Sequence, residues 1–270
     1  MNLVKRTITA AVLLGVLFLV VQYAPNWAFF LFGQAFIIAA LLEFYGLTAK
    51  NGLRPRKVLG VGLALLISLT FYFRSIPLEA APFAVLLIAG IYFVASINTA
   101  EKLTAFPAAF AITMLGVLYV AFPLNFLYRI RLEMGPLPLY FLFAVIFLGD
   151  TGAFFIGKPF GRHKMTPIAS PNKSWEGSAG GILFALAAAA LSRWLFLPEI
   201  PLLTALLTAV VVHAAAQVSD PLESLFKRAV GVKDSSNALP GHGGFFDRMD
   251  SVLYAAPPFL AYLLLAGLAP

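Results

Sequence analysis

The sequence predicts an all-α integral membrane protein with about nine transmembrane helices and a cytoplasmic N-terminus. Three observations predict this fold class: the composition, the length of the uncharged segments, and the distribution of lysine and arginine. Of the 270 residues, 61% are hydrophobic and only 11% are charged, whereas roughly 25% are charged in soluble proteins. A soluble fold has no way to bury this much apolar surface, so lipid is expected to cover part of it.

Uncharged segments supply the predicted helices, because about 20 apolar residues carry a helix across a bilayer core. The eight uncharged segments are 7–42, 58–73, 80–100, 103–128, 134–149, 177–192, 200–219 and 251–270. The first is long enough for two spans, and Pro25-Asn26, between Tyr23 and Trp27, predicts the turn of a helical hairpin. The other seven spans are predicted near 57–74, 81–100, 105–122, 137–156, 178–196, 200–218 and 251–269. A cleaved signal peptide is the alternative for the N-terminus, but the apolar stretch exceeds the usual h-region of about 7–15 residues.

The basic residues provide an independent test of this topology. With the N-terminus inside, fifteen of them fall on the cytoplasmic side: Lys5, Arg6, Lys50, Arg54, Arg56, Lys57, Lys102, Lys158, Arg162, Lys164, Lys173, Lys227, Arg228, Lys233 and Arg248. Only Arg74, Arg129, Arg131 and Arg193 fall outside. This asymmetry follows the positive-inside rule. Basic loops facing anionic lipid also explain the net charge of +7, so no nucleic-acid partner is needed.

The two halves of the chain differ in polarity. Residues 1–131 are predicted to form about five scaffold helices, in which the polar exceptions Gln34, Glu43 and Asn98 make helix-end or interhelical hydrogen bonds. Residues 132–270 are predicted to form the catalytic membrane domain, with about four helices and two polar cytoplasmic loops, 157–176 and 220–250. The chain has no cysteine, so it has no thiolate metal site.

The first polar loop follows an acidic residue at membrane depth. Asp150 comes after sixteen uncharged residues, where an ionised carboxylate is costly unless it is paired or bound to metal. The alternative is a carboxylate that caps a helix or pairs with a nearby lysine. The loop carries Lys158, Arg162, Lys164 and Lys173 against Glu176, which suits either a polyphosphate or anionic lipid headgroups.

The second polar loop contains most of the acidic residues of this half. His213, Gln217 and Asp220 share one face of the preceding helix, and His213 alone is more typical of a helix–helix hydrogen bond than of a ligand. The acids are Asp220, Glu223, Asp234, Asp247 and Asp250; the bases are Lys227, Arg228, Lys233 and Arg248. Exposed salt bridges are one interpretation. Two divalent cations held by the carboxylates are the other, and hard oxygen ligands favour Mg²⁺ or Mn²⁺.

Glycines surround the end of this loop. Gly241, Gly243 and Gly244 allow backbone N–H groups to approach an anion closely. Asp247 and Asp250 follow at i and i+3, on one face of the last predicted helix.

The segment 224–250 resembles the signature of the phosphatidate cytidylyltransferase family, the CDP-diacylglycerol synthases. It reads S-L-F-K-R-x4-K-D-x-S-x2-L-P-G-H-G-G-F-F-D-R-M-D. Asp150-Thr151-Gly152-Ala153, the stretch 157–164 and Ser170-Pro171-x-Lys173-Ser174 also resemble that family's upstream motif. One departure is Ser219-Asp220-Pro221, where the family usually has Gly-Asp-Leu.

The resemblance implies roles for individual residues. Asp220 and Asp247 would be metal ligands, with Asp150, Glu223, Asp234 and Asp250 near the site. Phosphates would be held by Lys227, Arg228, Lys233, His242 and Arg248. The CTP pocket would include Ser170, Lys173, Ser174, Ser224, Gly243 and Gly244.

The reaction implied is attack by a phosphatidate oxygen on the α-phosphorus of CTP, which yields CDP-diacylglycerol and pyrophosphate. Its partners are CTP and phosphatidic acid in the bilayer, and its cofactor is Mg²⁺ or Mn²⁺, two ions in all. The active site would face the cytoplasm, at the inner membrane if the source is bacterial. A CTP-dependent lipid kinase and an ion or metabolite transporter are the alternatives. The small-residue series 177–181 and the family resemblance together suggest a homodimer.

Overall fold

The computed structural model describes residues 3–73, 75–239, 241 and 243–268, and of these the great majority are helical. Arg74, assigned above to the outer side, lies outside the described residues. The chain divides into two compact units, Met1–Arg129 with Ala229–Met249 and Ile130–Arg228 with Asp250–Pro270. The predicted functional division at residue 131 stays a prediction.

The first unit contains the N-terminal helices. They are α1 (Leu3–Tyr23), α2 (Asn26–Lys50), α3 (Lys57–Tyr72), α4 (Ala80–Ser96), α5 (Ala100–Gly116) and, after a π-helical segment (Val117–Ala121), the first part of α6 (Phe122–Met134). The predicted turn between Tyr23 and Trp27 is confirmed, because α1 ends at Tyr23 and α2 begins at Asn26. The predicted span 105–122 is too short, since helix continues without a break over Ala100–Met134.

Buried hydrogen bonds connect α2 to its neighbours in this unit. The Tyr45 hydroxyl donates to the carbonyl of Thr113 at 2.6 Å. A Cβ at Gly60 or Gly116 would approach the Tyr45 ring to 2.5 Å or less, so both positions require glycine. The amide of Gln34 donates to Asn125 Oδ1 at 3.0 Å, as predicted for an interhelical polar residue. Such bonds satisfy polar groups that lipid and apolar side chains leave without water.

The second unit contains α7 (Leu137–Phe160), β1 (Lys164–Thr166), β2 (Ser170–Ser174), α8 (Trp175–Phe196), α9 (Leu202–Ala229) and most of α10 (Phe246–Leu265). The strands form a small antiparallel sheet with Lys164 opposite Ser174. The all-α prediction therefore missed one hairpin. It also placed the end of α9 at about residue 218, whereas the helix continues to Ala229 and carries Asp220 to Arg228 on helical backbone.

Glycines bring α7 and α8 close together. A Cβ at Gly177 would lie 2.9 Å from the Ala153 carbonyl oxygen, and one at Gly180 would lie 2.5 Å from Ile156. Part of the small-residue series 177–181 is thus explained by packing within this unit.

Within the described ranges, five helices are long and apolar enough to cross a membrane. They are Asn26–Lys50, Ala100–Met134, Leu137–Phe160, Trp175–Phe196 and Leu202–Ala229. Shorter apolar helices cover Leu14–Tyr23, Lys57–Tyr72 and Ala80–Ser96. A mostly helical chain with several candidate membrane spans is confirmed; the count of nine spans and the orientation stay predictions.

Candidate active site

The predicted site residues are distributed over both units. The second unit holds Asp150, Ser170, Lys173, Ser174, Asp220, Glu223, Ser224, Lys227, Arg228 and Asp250, and the first holds Lys233, Asp234, Gly243, Gly244, Asp247 and Arg248. His242 lies outside the described residues. Each group is therefore considered within its own unit.

Three carboxylates of the second unit, Asp150, Asp220 and Asp250, form what we term the aspartate cluster. The Ser251 hydroxyl lies 2.5 Å from Asp220 Oδ1 and 3.2 Å from Asp150 Oδ2. Asp250 is adjacent to Ser251 in sequence, and its Oδ1 accepts the Ser251 N–H at 2.8 Å. Because like charges at this range repel, the cluster favours a positively charged partner.

Lys173 is one positive charge at the aspartate cluster. Its ammonium group lies 2.7 Å from Asp220 Oδ2, and both side chains are only partly exposed. The β-hairpin positions Lys173, since β2 ends at Ser174 and the Ser174 hydroxyl caps α8 by accepting the N–H of Gly177 at 3.1 Å. The hydroxyl of Ser174 thus has a local structural role, which the prediction of substrate binding did not include.

Glu176 holds the other end of the same hairpin. Its carboxylate accepts the backbone N–H groups of Arg162 and His163 at 3.1–3.2 Å. The ring of His163 also lies 2.5 Å from Glu176 Oε1. The Glu176 carboxylate therefore holds the segment before β1 against the start of α8, next to the strand that carries Lys173.

The polar face of α9 extends above and below Asp220. Gln217 hydrogen-bonds to both the hydroxyl and the carbonyl of Ser178 on α8. His213 is completely buried, and neither ring nitrogen has a hydrogen-bond partner among the described residues. This does not match the hydrogen bond predicted for His213.

The departure from the family pattern at residues 219–221 leaves the helix intact. Pro221 lies inside α9 and is buried. It has no N–H, so the carbonyl of Gln217 loses its usual helical donor. The Ser219 hydroxyl donates to the carbonyl of Asp250, which joins α9 to the start of α10 within this unit. The backbone around Asp220 is therefore helical.

Farther along α9, Lys227 and Glu223 form a buried ion pair. Lys227 Nζ lies 2.5 Å from Glu223 Oε2, and the side chains are 10% and 1% exposed. Lys227 thus has a carboxylate partner in addition to its predicted phosphate. Arg228 is exposed and Ser224 is half-buried.

We expect Lys227→Ala and Arg228→Ala to have different effects. Removing Lys227 leaves Glu223 buried without its counter-charge, which costs about 3–5 kcal/mol of stability as well as activity. Removing the exposed Arg228 should lower activity about ten- to hundredfold with little change in stability, the effect of losing one charge-assisted phosphate contact. The melting temperature measures the change in stability, and turnover at subsaturating CTP measures the change in activity. Full activity in Arg228→Ala would show that this arginine holds no phosphate.

The signature loop, residues 235–247, is organised in the first unit by two carboxylates. Asp247 Oδ2 accepts the N–H of Ser235 at 2.8 Å and the N–H of Gly244 at 2.7 Å. The Ser235 hydroxyl also lies 2.8 Å from the same oxygen. Asp247 is 6% exposed and stands in the first turn of α10. Its carboxylate therefore shapes the loop, whatever else it binds.

Glu43, from α2, is the second carboxylate at the signature loop. Glu43 Oε1 accepts the Ser236 hydroxyl at 2.7 Å and the Phe245 N–H at 3.2 Å. Glu43 Oε2 accepts the Phe246 N–H at 2.9 Å and lies 2.8 Å from the Ser235 hydroxyl. The prediction for Glu43 was a helix-end or interhelical hydrogen bond. That interpretation missed its contact with the signature loop, for which the signal was an isolated carboxylate after 36 residues that contain no other charge.

The backbone of the signature loop depends on glycine. Gly241 and Gly243 have φ near +75°, which favours glycine. A Cβ at Gly244 would lie 2.2 Å from both Glu43 Oε2 and Ser235 Oγ. Lys233, Asp234 and Arg248 are exposed.

The donor chemistry of the aspartate cluster fits Mg²⁺ or Mn²⁺, since three carboxylates and a hydroxyl supply hard oxygen ligands. In the part of the chain that the structure describes, no group of three or more His, Cys, Asp or Glu side chains is arranged to hold a metal ion as it stands. Asp220 Oδ2 is paired with Lys173 instead.

Comparison with known proteins identifies the family of this chain. The model of the cytidylyltransferase family matches residues 4–266. The phosphatidate cytidylyltransferase of Bacillus subtilis is 40% identical over 152 residues, or 56% of this chain and 56% of the relative. That of Staphylococcus saprophyticus is 38% identical over 147 residues, so the chain spans about half the length of these two relatives. That of Staphylococcus aureus is 31% identical over 260 residues, or 93% of this chain and 95% of the relative. The chain belongs to the cytidylyltransferase family.

Proposed function

We propose that this protein is a phosphatidate cytidylyltransferase, which makes CDP-diacylglycerol from CTP and phosphatidic acid. The observation that carries the proposal is the aspartate cluster with Lys173, in a chain whose relatives are named phosphatidate cytidylyltransferases. A phosphatidate oxygen forms a bond to the α-phosphorus of CTP, the bond from that phosphorus to the bridging oxygen breaks, and pyrophosphate leaves. A phosphomonoester has a second pKa of about 6, so the nucleophile is already largely dianionic at neutral pH and needs little help from a general base.

The main obstacle to this reaction is repulsion between two anionic substrates. Lys173, Arg228, Lys233, His242 and Arg248 would hold the phosphates, with Lys227 shared between a phosphate and Glu223. The Gly243 N–H would approach the anion, whereas the Gly244 N–H is donated to Asp247 and would act through that carboxylate. These donors align the attack and stabilise charge on the leaving pyrophosphate.

Asp220 and Asp247 are the proposed ligands of divalent cations, with Asp150, Asp234 and Asp250 nearby. Bound Mg²⁺ or Mn²⁺, two ions in this proposal, supplies positive charge beside the phosphates. The carboxylates of this chain hold that charge in place. Ser251 orients Asp150 and Asp220 toward each other, while Ser235 and Gly244 orient Asp247.

One assay separates this activity from its alternatives. Purified protein is incubated with phosphatidate micelles and CTP labelled at the α-phosphate, and lipid-bound label and pyrophosphate are measured. Equal amounts of both are expected. A lipid kinase would release CDP and leave the lipid unlabelled, and a transporter would move substrate into liposomes without breaking a bond.

We propose nine spans with the N-terminus and both polar loops on the cytoplasmic side, supported by the lysine and arginine distribution. Phosphatidate tails would stay in lipid while CTP arrives from the cytoplasm. Single cysteines at exposed positions near Gly161 and Ser236 should react with an impermeant reagent from the cytoplasmic side. One in place of Glu199 should react from the other side. Reaction of the first two from opposite faces would contradict this topology.

A homodimer is also proposed, on the family resemblance and on the small residues of 177–181. Gly177 and Gly180 pack against α7, so the exposed Ala179 is the member of the series that a partner would contact.

A further inference from the structure

We infer that Glu43, in the N-terminal half, is a positioning residue for cytidylyl transfer: it holds the signature loop and, through Ser235, orients the carboxylate of Asp247. This inference rests on the proposed function. It assigns an active-site role to a helix that sequence analysis treated as scaffold.

Glu43 lies where an ionised carboxylate is energetically costly. Its helix, Asn26–Lys50, is apolar enough to span a membrane, and Glu43 is its only acidic residue. A carboxylate in such a segment is costly unless it is fully paired. Its described partners are Ser235, Ser236, Phe245 and Phe246, which all lie in the signature loop or at the start of α10. The described hydrogen bonds of Glu43 therefore stabilise the signature loop.

The hydrogen bonds that Glu43 accepts include two from backbone N–H groups at the start of a helix. Phe245 and Phe246 provide N–H groups at the start of α10, where helical N–H groups lack carbonyl partners within the helix. A negative charge at a helix N-terminus is favourable, and hydrogen bonds to a charged acceptor are about twice as strong as neutral ones. Glu43 thus caps α10 from a distant part of the sequence.

Glu43 and Asp247 share one hydrogen-bond donor, the Ser235 hydroxyl. The Ser235 hydroxyl lies 2.8 Å from an oxygen of each carboxylate, so its single proton is shared between them. Gly244 lies against the same atoms, since a Cβ there would meet both Glu43 and Ser235 at 2.2 Å. Any displacement of Glu43 therefore moves the donors that orient Asp247.

Aromatic contacts fix the loop to the same helix. The Phe36 and Phe245 rings meet edge-on with centroids 5.0 Å apart, and the Phe44 and Phe246 rings lie 5.7 Å apart. Phe246 is completely buried. These contacts keep the loop on α2 when the charge of Glu43 is removed, so a substitution there tests positioning without releasing the whole segment.

The test compares Glu43→Gln with wild type in detergent. An amide keeps the size of the side chain but has one acceptor oxygen in place of two. Hydrogen exchange of the loop amides, in peptides that cover residues 235–247, should become about ten- to hundredfold faster, the factor for losing one charge-assisted hydrogen bond. The Mg²⁺ concentration for half-maximal activity should rise, and kcat should fall about ten- to hundredfold. Glu101→Gln is the matched control, because Glu101 lies in the same unit, is exposed and forms an ion pair with the exposed Arg54.

Several outcomes would overturn the inference. Wild-type exchange across the loop in Glu43→Gln would show that Glu43 does not order it. Faster exchange with unchanged kcat and Mg²⁺ requirement would show that the contact is structural only. If Glu43→Gln fails to fold, Ser235→Ala replaces it, and an unchanged Mg²⁺ requirement there would contradict the link to Asp247. A wild-type protein without cytidylyltransferase activity would instead refute the proposed function, and the exchange measurement would still test the loop.

Discussion

Asp220→Asn should abolish cytidylyl transfer while the protein remains folded. The amide keeps the size of the side chain and an oxygen for the Ser251 hydroxyl, but it loses the charge that a divalent cation and Lys173 require. We expect turnover to fall about a thousandfold, which corresponds to about 4 kcal/mol of transition-state stabilisation. Variants with residual activity should need more Mg²⁺. Turnover, monodispersity and titrations with Mg²⁺ and Mn²⁺ measure these effects.

The competing interpretation of Asp220 is a simple ion pair with Lys173. The two side chains are 21% and 29% exposed, and partly exposed pairs of this kind contribute only about 0–1 kcal/mol. In that case Asp220→Asn would have near wild-type activity and an unchanged metal requirement. Glu199→Gln, in the exposed connection between α8 and α9, is the control for a lost carboxylate outside the site.

Asp247→Asn should have an effect of similar size through two losses. It removes the charge of the second proposed metal ligand. It also weakens the acceptor for the N–H groups of Ser235 and Gly244, because a neutral amide oxygen accepts less strongly than a carboxylate oxygen. We therefore expect near-complete loss of turnover and faster exchange in the signature loop.

The two losses can be separated. If Asp247 only shapes the loop, Ser235→Ala should lower turnover as Asp247→Asn does, and neither variant should need more Mg²⁺ than the other. If Asp247 binds metal, its Asn variant should require more Mg²⁺ than Ser235→Ala does. Wild-type turnover and metal dependence in both aspartate variants would remove Asp220 and Asp247 from the site and leave Asp150, Asp234 and Asp250 to be tested.

Local sequence patterns predicted the features that depend on neighbouring residues. Pro25-Asn26 marked the turn after α1 because proline and asparagine act within a few residues. The apolar segments predicted the helices for the same reason. The end of α9 was missed because Pro221 and the charged residues 220–228 resemble a loop, whereas the helix tolerates one proline and pairs Glu223 with Lys227 on its buried side.

Features that depend on distant residues could not be predicted. The contact between Glu43 and Ser235 joins residues 192 positions apart, so no periodicity indicates it. The Ser251 hydroxyl between Asp150 and Asp220 likewise joins three helices. The β-hairpin was missed because its strands are short and polar, with three and five residues. Family resemblance identified the aspartates but not the serines that orient them.

The extension of α9 to Ala229 restricts how this part of the gene can vary in length. His213, Asp220 and Lys227 are spaced by seven residues on one continuous helix, over about 21 Å at 1.5 Å per residue. One inserted or deleted residue would rotate everything downstream by about 100°. A change before Asp220 would turn its carboxylate away from Lys173 and Ser251, and one between Glu223 and Lys227 would break their i,i+4 pair. A loop would absorb such a change. Insertions and deletions should therefore be excluded between residues 213 and 227 in functional homologues, even where point substitutions are accepted.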